Sequence, residues 1–258
     1  MAAPDTSWPE RLWLVRHGES AGNVARNAAH AARAARIDIT HRDIDVPLSD
    51  LGKEQSAALA RWFAQLGPDR QPQVALASPY VRAISTAQII RDAGGLVADA
   101  PALILDERLR EREFGILDRL THLGIEQLYP EQAEIRRTLG KFYHRPPGGE
   151  SWCDVILRLR SALHTISLHY AGKRLLIVTH EVVIMCFRYL LEELTEAQVL
   201  AIGAQGDVAN CGVTEYVYER QDGPGAGNLK LARFNFTSPL TQENTPVTSA
   251  PDTKAQAR

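Results

Sequence analysis

Two apolar runs of strand type each stop at a histidine. Leu12-Trp-Leu-Val-Arg-His17 opens the chain, Leu175-Leu-Ile-Val-Thr-His180 lies near its other end, and helix-forming sequence follows each. If both strands are parallel in one sheet, both imidazoles emerge at its carboxyl edge, where open α/β sheets place their ligands. Arg16 precedes the first histidine, and the tight turn available at Gly18 could bring both side chains to one pocket. Imidazole beside guanidinium suits phosphoryl chemistry. A nucleophilic histidine aims one nitrogen at phosphorus while the other holds its proton against a fixed acceptor. The phosphoryl oxygens need positive charge around them, because this transfer depends mostly on positioning and electrostatics.

Further groups gather at the same edge. Asn23 lies at the start of the helix after His17 and can donate an amide hydrogen. Arg82 follows the strand Val74–Ala77 directly, in the first turn of the next helix, where its fork can grip two phosphate oxygens. His180 supplies a fourth contact. The leaving group needs a proton, and Glu111 is the candidate acid in Asp106-Glu-Arg-Leu-Arg-Glu111-Arg-Glu-Phe-Gly115. A bound phosphate raises the pKa of a neighbouring carboxyl, which suits that role. Glu107 and Glu113 are rivals that the pattern leaves open.

Five strands are read from the sequence: Leu12–Val15, Val74–Ala77, Leu175–Val178, Val213–Tyr218 and Leu229–Phe234. Helical sequence after the first three favours a parallel sheet. The last two flank the glycine-rich stretch Gln221–Asn228, which reads as a hairpin turn and an antiparallel edge. Helices are expected from Ser49, over Tyr80–Arg91, Ser151–Tyr170 and Glu181–Leu191, with Asn23–Arg36 helical or partly mobile. In the third, Trp152, Val155, Ile156, Leu159, Leu163, Ile166 and Tyr170 share one face, and Ser151 with Asp154 suits an N-terminal cap. The fold class is α/β: a three-layer α/β/α sandwich with a mostly parallel sheet and an antiparallel edge. One catalytic domain is expected over residues 1–236, followed by a disordered tail, 237–258, with too few large apolar side chains to offset its ordering entropy. Its deletion should leave turnover intact.

A net charge of −2 gives no broad basic surface for nucleic acid, so anion selectivity must come from local arginines. No apolar run is long enough for a bilayer, and the first nine residues lack the pattern of a signal peptide. Cys153, Cys186 and Cys211 are scattered and odd in number, as in a reduced, cytoplasmic protein. His164 and His169 do not share a helix face well enough to chelate, and His30, His41 and His144 read as surface residues. The expected partner is a small phosphorylated molecule, not nucleic acid or membrane. Oligomeric state is open, a homodimer being one option.

Six segments occur in order: Arg16-His-Gly-Glu-Ser-x-x-Asn23, Leu48-Ser-x-x-Gly-x-x-Gln55, Ser78-Pro-x-x-Arg82-x-x-x-Thr86, Leu109-x-Glu111 with Phe114-Gly115, Pro147-Gly-Gly-Glu-Ser151 and Thr179-His180. Together they resemble the histidine phosphatase superfamily, also called phosphoglycerate-mutase-like, from about Leu12 to Tyr218. The resemblance implies a phosphohistidine intermediate with His17 as nucleophile. It assigns phosphate binding to Arg16, Asn23, Arg82 and His180 and the acid/base role to Glu111, with no metal or organic cofactor. The implied activity is a metal-independent phosphatase acting on a small phosphorylated metabolite. A mutase, which returns the phosphoryl group to substrate, and a non-catalytic binding module are the alternatives.

Tyr129-Pro-Glu, Lys141 through Trp152, and Thr179 through Cys186 look most like the bisphosphatase half of the fructose-2,6-bisphosphate enzymes and related plant and fungal phosphatases. Arg137 and Lys141 align with residues that bind the sugar phosphate there, although an ordinary exposed helix face accounts for them nearly as well. His122 and Met185 stand where those enzymes carry tyrosine and arginine. Glu181 replaces their glutamine, or the glycine of most of the superfamily. Its carboxylate could face the pocket and oppose a phosphate. The preferred reading gives it a role at the helix start, by capping or by pairing with Arg188, because neither brings an electrostatic penalty into the site.

Overall fold

The computed structural model describes residues 7–220 and 227–249. One six-stranded sheet organises them. Its strands are β1 (Arg11–Arg16), β2 (Val74–Ala77), β3 (Ile104–Leu105), β4 (Arg174–Thr179), β5 (Val213–Arg220) and β6 (Gly227–Phe236), in the order β3-β2-β4-β1-β5-β6. The β3–β2, β2–β4 and β4–β1 pairs are parallel, whereas β1–β5 and β5–β6 are antiparallel. The mostly parallel sheet with an antiparallel edge is therefore present. The hairpin turn read over Gln221–Asn228 falls mainly outside the described residues.

The central strands are apolar on both faces because helices cover both. Leu12, Leu14, Leu175 and Ile177 face one core, built with α6 (Trp152–His169), α7 (Glu181–Leu191) and α8 (Glu196–Gln205). Trp13, Val15, Leu176 and Val178 face the other, built with α2 (Asp50–Ala64) and α3 (Val81–Asp92). The Ser151 cap is a full capping box with Asp154, and Ser49 caps α2 by accepting from the Gly52 amide. The helix expected from Asn23 is α1 (Ala21–Ala31), which ends five residues early; Arg33 has a φ of 50°. Two helices not read from the sequence, α4 (His122–Leu128) and α5 (Pro130–Tyr143), lie between the Glu111 segment and α6. No helix among the described residues is long and apolar enough to cross a membrane.

Two expectations are corrected. Residues 237–249 are ordered: α9 (Ser238–Gln242) packs on α2, Leu240 is wholly buried beside Phe63 and Val213, and Arg61 pairs with Glu243. One fully buried leucine contributes about 1.5–3 kcal/mol, which composition averaged over the tail conceals. Residues 250–258 lie outside the described residues. His144 is buried, not on the surface, because the end of α5 tucks under Arg112, whose Nη2 donates to the His144 carbonyl at 3.2 Å. Burial, then Arg136 and Arg112, lower its pKa to about 4.

The loop after β1 presses on the start of α2. A Cβ on Gly52 would stand 1.9 Å from the Glu19 carbonyl oxygen, so only glycine allows this contact. Gly52→Ala is expected to cost about 1–3 kcal/mol in urea unfolding and to lower activity by displacing the loop that carries His17. Wild-type stability and turnover would show that the contact is not required.

Candidate active site

The β1–β4 register decides the site. Arg16 pairs with Thr179 across the two strands, so the next residues, His17 and His180, leave the sheet edge side by side. The His17 amide donates to the Thr179 carbonyl at 3.0 Å, and the two imidazole centroids are 5.1 Å apart. Arg82 reaches the same point from the first turn of α3, with Nε 3.2 Å from His17 Nε2. Asn23 closes the circle from α1. Its Oδ1 accepts from the Ser20 amide at 3.0 Å in a capping box, which turns its amide group toward the pocket. Arg16, His17, Asn23, Arg82, Glu111 and Glu181 all line one cleft.

The orientation of the His17 ring is fixed by its neighbours. The His17 Nδ1–H donates to the Gly18 carbonyl at 2.7 Å, so Nε2 carries the lone pair, which accepts from the Arg82 Nε–H at 3.2 Å. Burial, then Arg82, then Arg16, hold the His17 pKa well below 6.5 against an opposing pull from the Gly18 carbonyl. His180 is lowered in the same way by burial, followed by Arg82, His17, Arg16 and Arg158. Both shifts favour the neutral imidazole. His180 Nε2 lies 2.8 Å from Ser78 Oγ, while its Nδ1 is buried without a hydrogen-bond partner, 3.9 Å from Glu111 Oε2. Glu111 Oε1 accepts from the Arg112 amide at 2.8 Å, which fixes the carboxylate beside the cleft. Its rivals stand elsewhere: Glu113 Oε1 accepts from the Tyr80 hydroxyl at 3.0 Å, and Glu107 is exposed on a short 3-10 turn.

The structure reverses the preferred reading of Glu181. Although it is the first residue of α7, its carboxylate faces the cleft, 3.2 Å from Arg16 Nη1. Arg188 pairs instead with Glu192 at 2.8 Å. Arg137 and Lys141 do not line the cleft. Gly140, at φ 79°, interrupts α5 between them, so they are not one helical turn apart. Arg137 pairs with Glu134 at 2.6 Å and is largely exposed, and the Lys141 ammonium sits 5.3 Å from the Trp152 ring centroid. His122 is exposed and pairs with Glu126.

Several groups escaped the sequence reading. Asp43, in the link between α1 and α2, pairs with Arg82 Nη1 at 3.0 Å, and the Val208 carbonyl accepts from Arg16. Asn210 donates to the His17 carbonyl at 3.1 Å. These partners come from irregular segments remote in sequence, where no periodicity marks them. The outer wall is mixed, with Ile37, Ile39, Val46, Phe114 and Val182 beside Arg26, His41 and Arg119. Among the described residues no three His, Cys, Asp or Glu side chains cluster as a metal ion would need.

The comparisons with known proteins agree with this geometry. The model of the histidine phosphatase superfamily (branch 1) matches residues 12–225. A probable phosphoglycerate mutase GpmB of Enterobacter sp. (strain 638) is 32% identical over 178 residues, covering 68% of this chain and 72% of that protein. A mycobacterial glucosyl-3-phosphoglycerate phosphatase solved with VO3 is 26% identical, covers 88% of this chain and 99% of its own, and superposes with a TM-score of 0.63. A putative alpha-ribazole-5'-P phosphatase from Escherichia coli shares the fold at 18% identity and a TM-score of 0.66. With β1 to β5, but for Arg11, and every wall of the cleft inside the matched region, the chain belongs to branch 1 of the histidine phosphatase superfamily.

Proposed function

We propose that the chain is a metal-independent phosphatase that hydrolyses a small phosphomonoester metabolite through a phosphohistidine at His17. One observation carries this reading: the His17 Nδ1–H is held by the Gly18 carbonyl at 2.7 Å while Nε2 faces Arg82 at 3.2 Å. Nε2 attacks phosphorus, the N–P bond forms, and the bond to the leaving oxygen breaks. Arg16, Arg82, the Asn23 amide and His180 hold the phosphoryl oxygens as charge redistributes. Glu111 protonates the leaving oxygen. The same carboxylate then takes a proton from water, which attacks phosphorus and releases phosphate and neutral His17. The five apolar side chains of the outer wall fit a leaving alcohol with an apolar face. The outward placement of Arg137 and Lys141 argues against the sugar-bisphosphate set.

The mutase is the second reading, supported by the name of the relative from Enterobacter. Conversion of 3- to 2-phosphoglycerate, measured against phosphate release, separates the two. Rapid conversion with negligible release would overturn the phosphatase reading. For location we propose the cytoplasm, on the three free cysteines among the described residues.

Three outcomes are expected. His17→Ala abolishes hydrolysis of an aryl phosphate and acid-labile labelling of the protein, EDTA leaves the wild-type rate unchanged, and label on any other residue would contradict the mechanism. The second concerns protonation. The folded pKa values of His17 and His180 lie below the unfolded value of about 6.5. The stability this confers is therefore full above pH 6.5 and is lost as pH falls below it, because the unfolded chain takes up protons that the folded chain refuses. Imidazole NMR should find both rings neutral at pH 6.5, and a charged ring there would reject the assignment. The third concerns Glu181. Its carboxylate occupies Arg16 and opposes phosphate, a contest worth about 1–4 kcal/mol at such separations. Glu181→Gln should lower KM and tighten inorganic phosphate severalfold by calorimetry, most clearly for multiply phosphorylated substrates. Unchanged affinity would mean that the carboxylate swings clear of the ligand.

A further inference from the structure

The segment after β6 returns to the catalytic loop from behind. It runs back along α2, past the Arg61–Glu243 pair, and brings residues 246–248 over Gln55 and Asn210. These two wholly buried amides hold the loop between β1 and α1. Gln55 Oε1 accepts from the Glu19 amide at 2.9 Å. Asn210 Nδ2 donates to the His17 carbonyl at 3.1 Å and lies 3.4 Å from Asn23 Oδ1. Each amide must present a particular end to the loop, oxygen for Gln55 and nitrogen for Asn210.

Thr248 bridges the two amides. Its hydroxyl accepts from Gln55 Nε2 at 2.9 Å and donates to Asn210 Oδ1 at 3.1 Å. Its carbonyl accepts from the Asn210 backbone amide at 2.8 Å, and the Pro246 carbonyl takes a second bond from Gln55 Nε2 at 2.9 Å. A single hydroxyl, with one proton and two lone pairs, thus couples a donor on one amide to an acceptor on the other. We propose that Thr248 is a positioning residue, and that the segment 245–249 is a latch that must be seated for His17 and Asn23 to stay aligned on the phosphoryl group. The catalytic consequence rests on the phosphatase reading; the structural consequence does not. The latch predicts that removing the tail lowers turnover, the opposite of the expectation from composition.

Thr248→Val keeps the side-chain shape and removes both hydroxyl bonds, leaving the buried Asn210 Oδ1 without its donor. In the full-length chain, kcat on an aryl phosphate is expected to fall about tenfold with KM within about twofold. By hydrogen exchange, the Glu19 amide should exchange about tenfold faster than in wild type while Leu175–Val178 in β4 is unchanged. Thr248→Ser, which restores the hydroxyl, should recover both. Unchanged Glu19 exchange in Thr248→Val, an equal loss of protection in β4, or no recovery with serine would each overturn the proposal. Wild-type chain inert on every phosphomonoester would refute the phosphatase reading, and the exchange measurement would still decide the latch.

Discussion

The in-register parallel pairing of β1 with β4 is the constraint on which the site depends. Arg16 opposite Thr179 sets His17 and His180 side by side, and the His17 amide bonded to the Thr179 carbonyl carries the ladder one residue past the strands. A slip of one residue would send alternate side chains to the other face and separate the imidazoles. The slip is costly because alternate residues of β1 and β4 enter different cores. Leu12, Leu14, Leu175 and Ile177 pack against α6 and α7, while Trp13, Val15, Leu176 and Val178 pack against α2 and α3. Packing on two faces therefore locks a relation between two imidazole side chains far apart in sequence.

Charge in the cleft is balanced by short-range pairing. Arg16 and Arg82 are buried beside two imidazoles whose shifts favour the neutral form, so the cations must be offset by something other than the histidines. Glu181 and Asp43 supply that offset, at 3.2 and 3.0 Å. A buried arginine without a partner is costly, and these carboxylates satisfy both arginines. Burial first, and the two guanidinium groups after it, suppress protonation of His17.

The loop carrying His17 is braced at close range. Gly18 and Gly52 allow backbone to approach backbone, since a Cβ on either would fall inside 2.5 Å of a carbonyl oxygen. Gln55, one turn along α2 from Gly52, and Asn210 meet the loop's polar groups. Such bracing would suit the proposed attack by His17, because small misplacements cost large factors in rate.

Much of this was legible in the sequence. The apolar runs ending in His17 and His180, the strand before Arg82, and the amphipathic face of α6 each carry a local signature that needs no tertiary knowledge. So does Asn23, at the start of the helical sequence that follows His17. The direction of a single carboxylate was not legible. Glu181 begins a helix whether it turns outward or inward, and only the nearby Arg16, placed by β1, draws it inward. Arg137 and Lys141 share a helical spacing that Gly140 breaks, so alignment put them in a site that the backbone takes them out of. The order of residues 237–249 was hidden for a related reason. Leu240, Glu243 and Thr248 form no pattern among themselves, and their partners, Phe63, Arg61, Gln55 and Asn210, are supplied by elements that meet only after folding. Periodicity determines which face of an element is buried. Pairing between distant polar groups depends on where the sheet and its covering helices finally bring them.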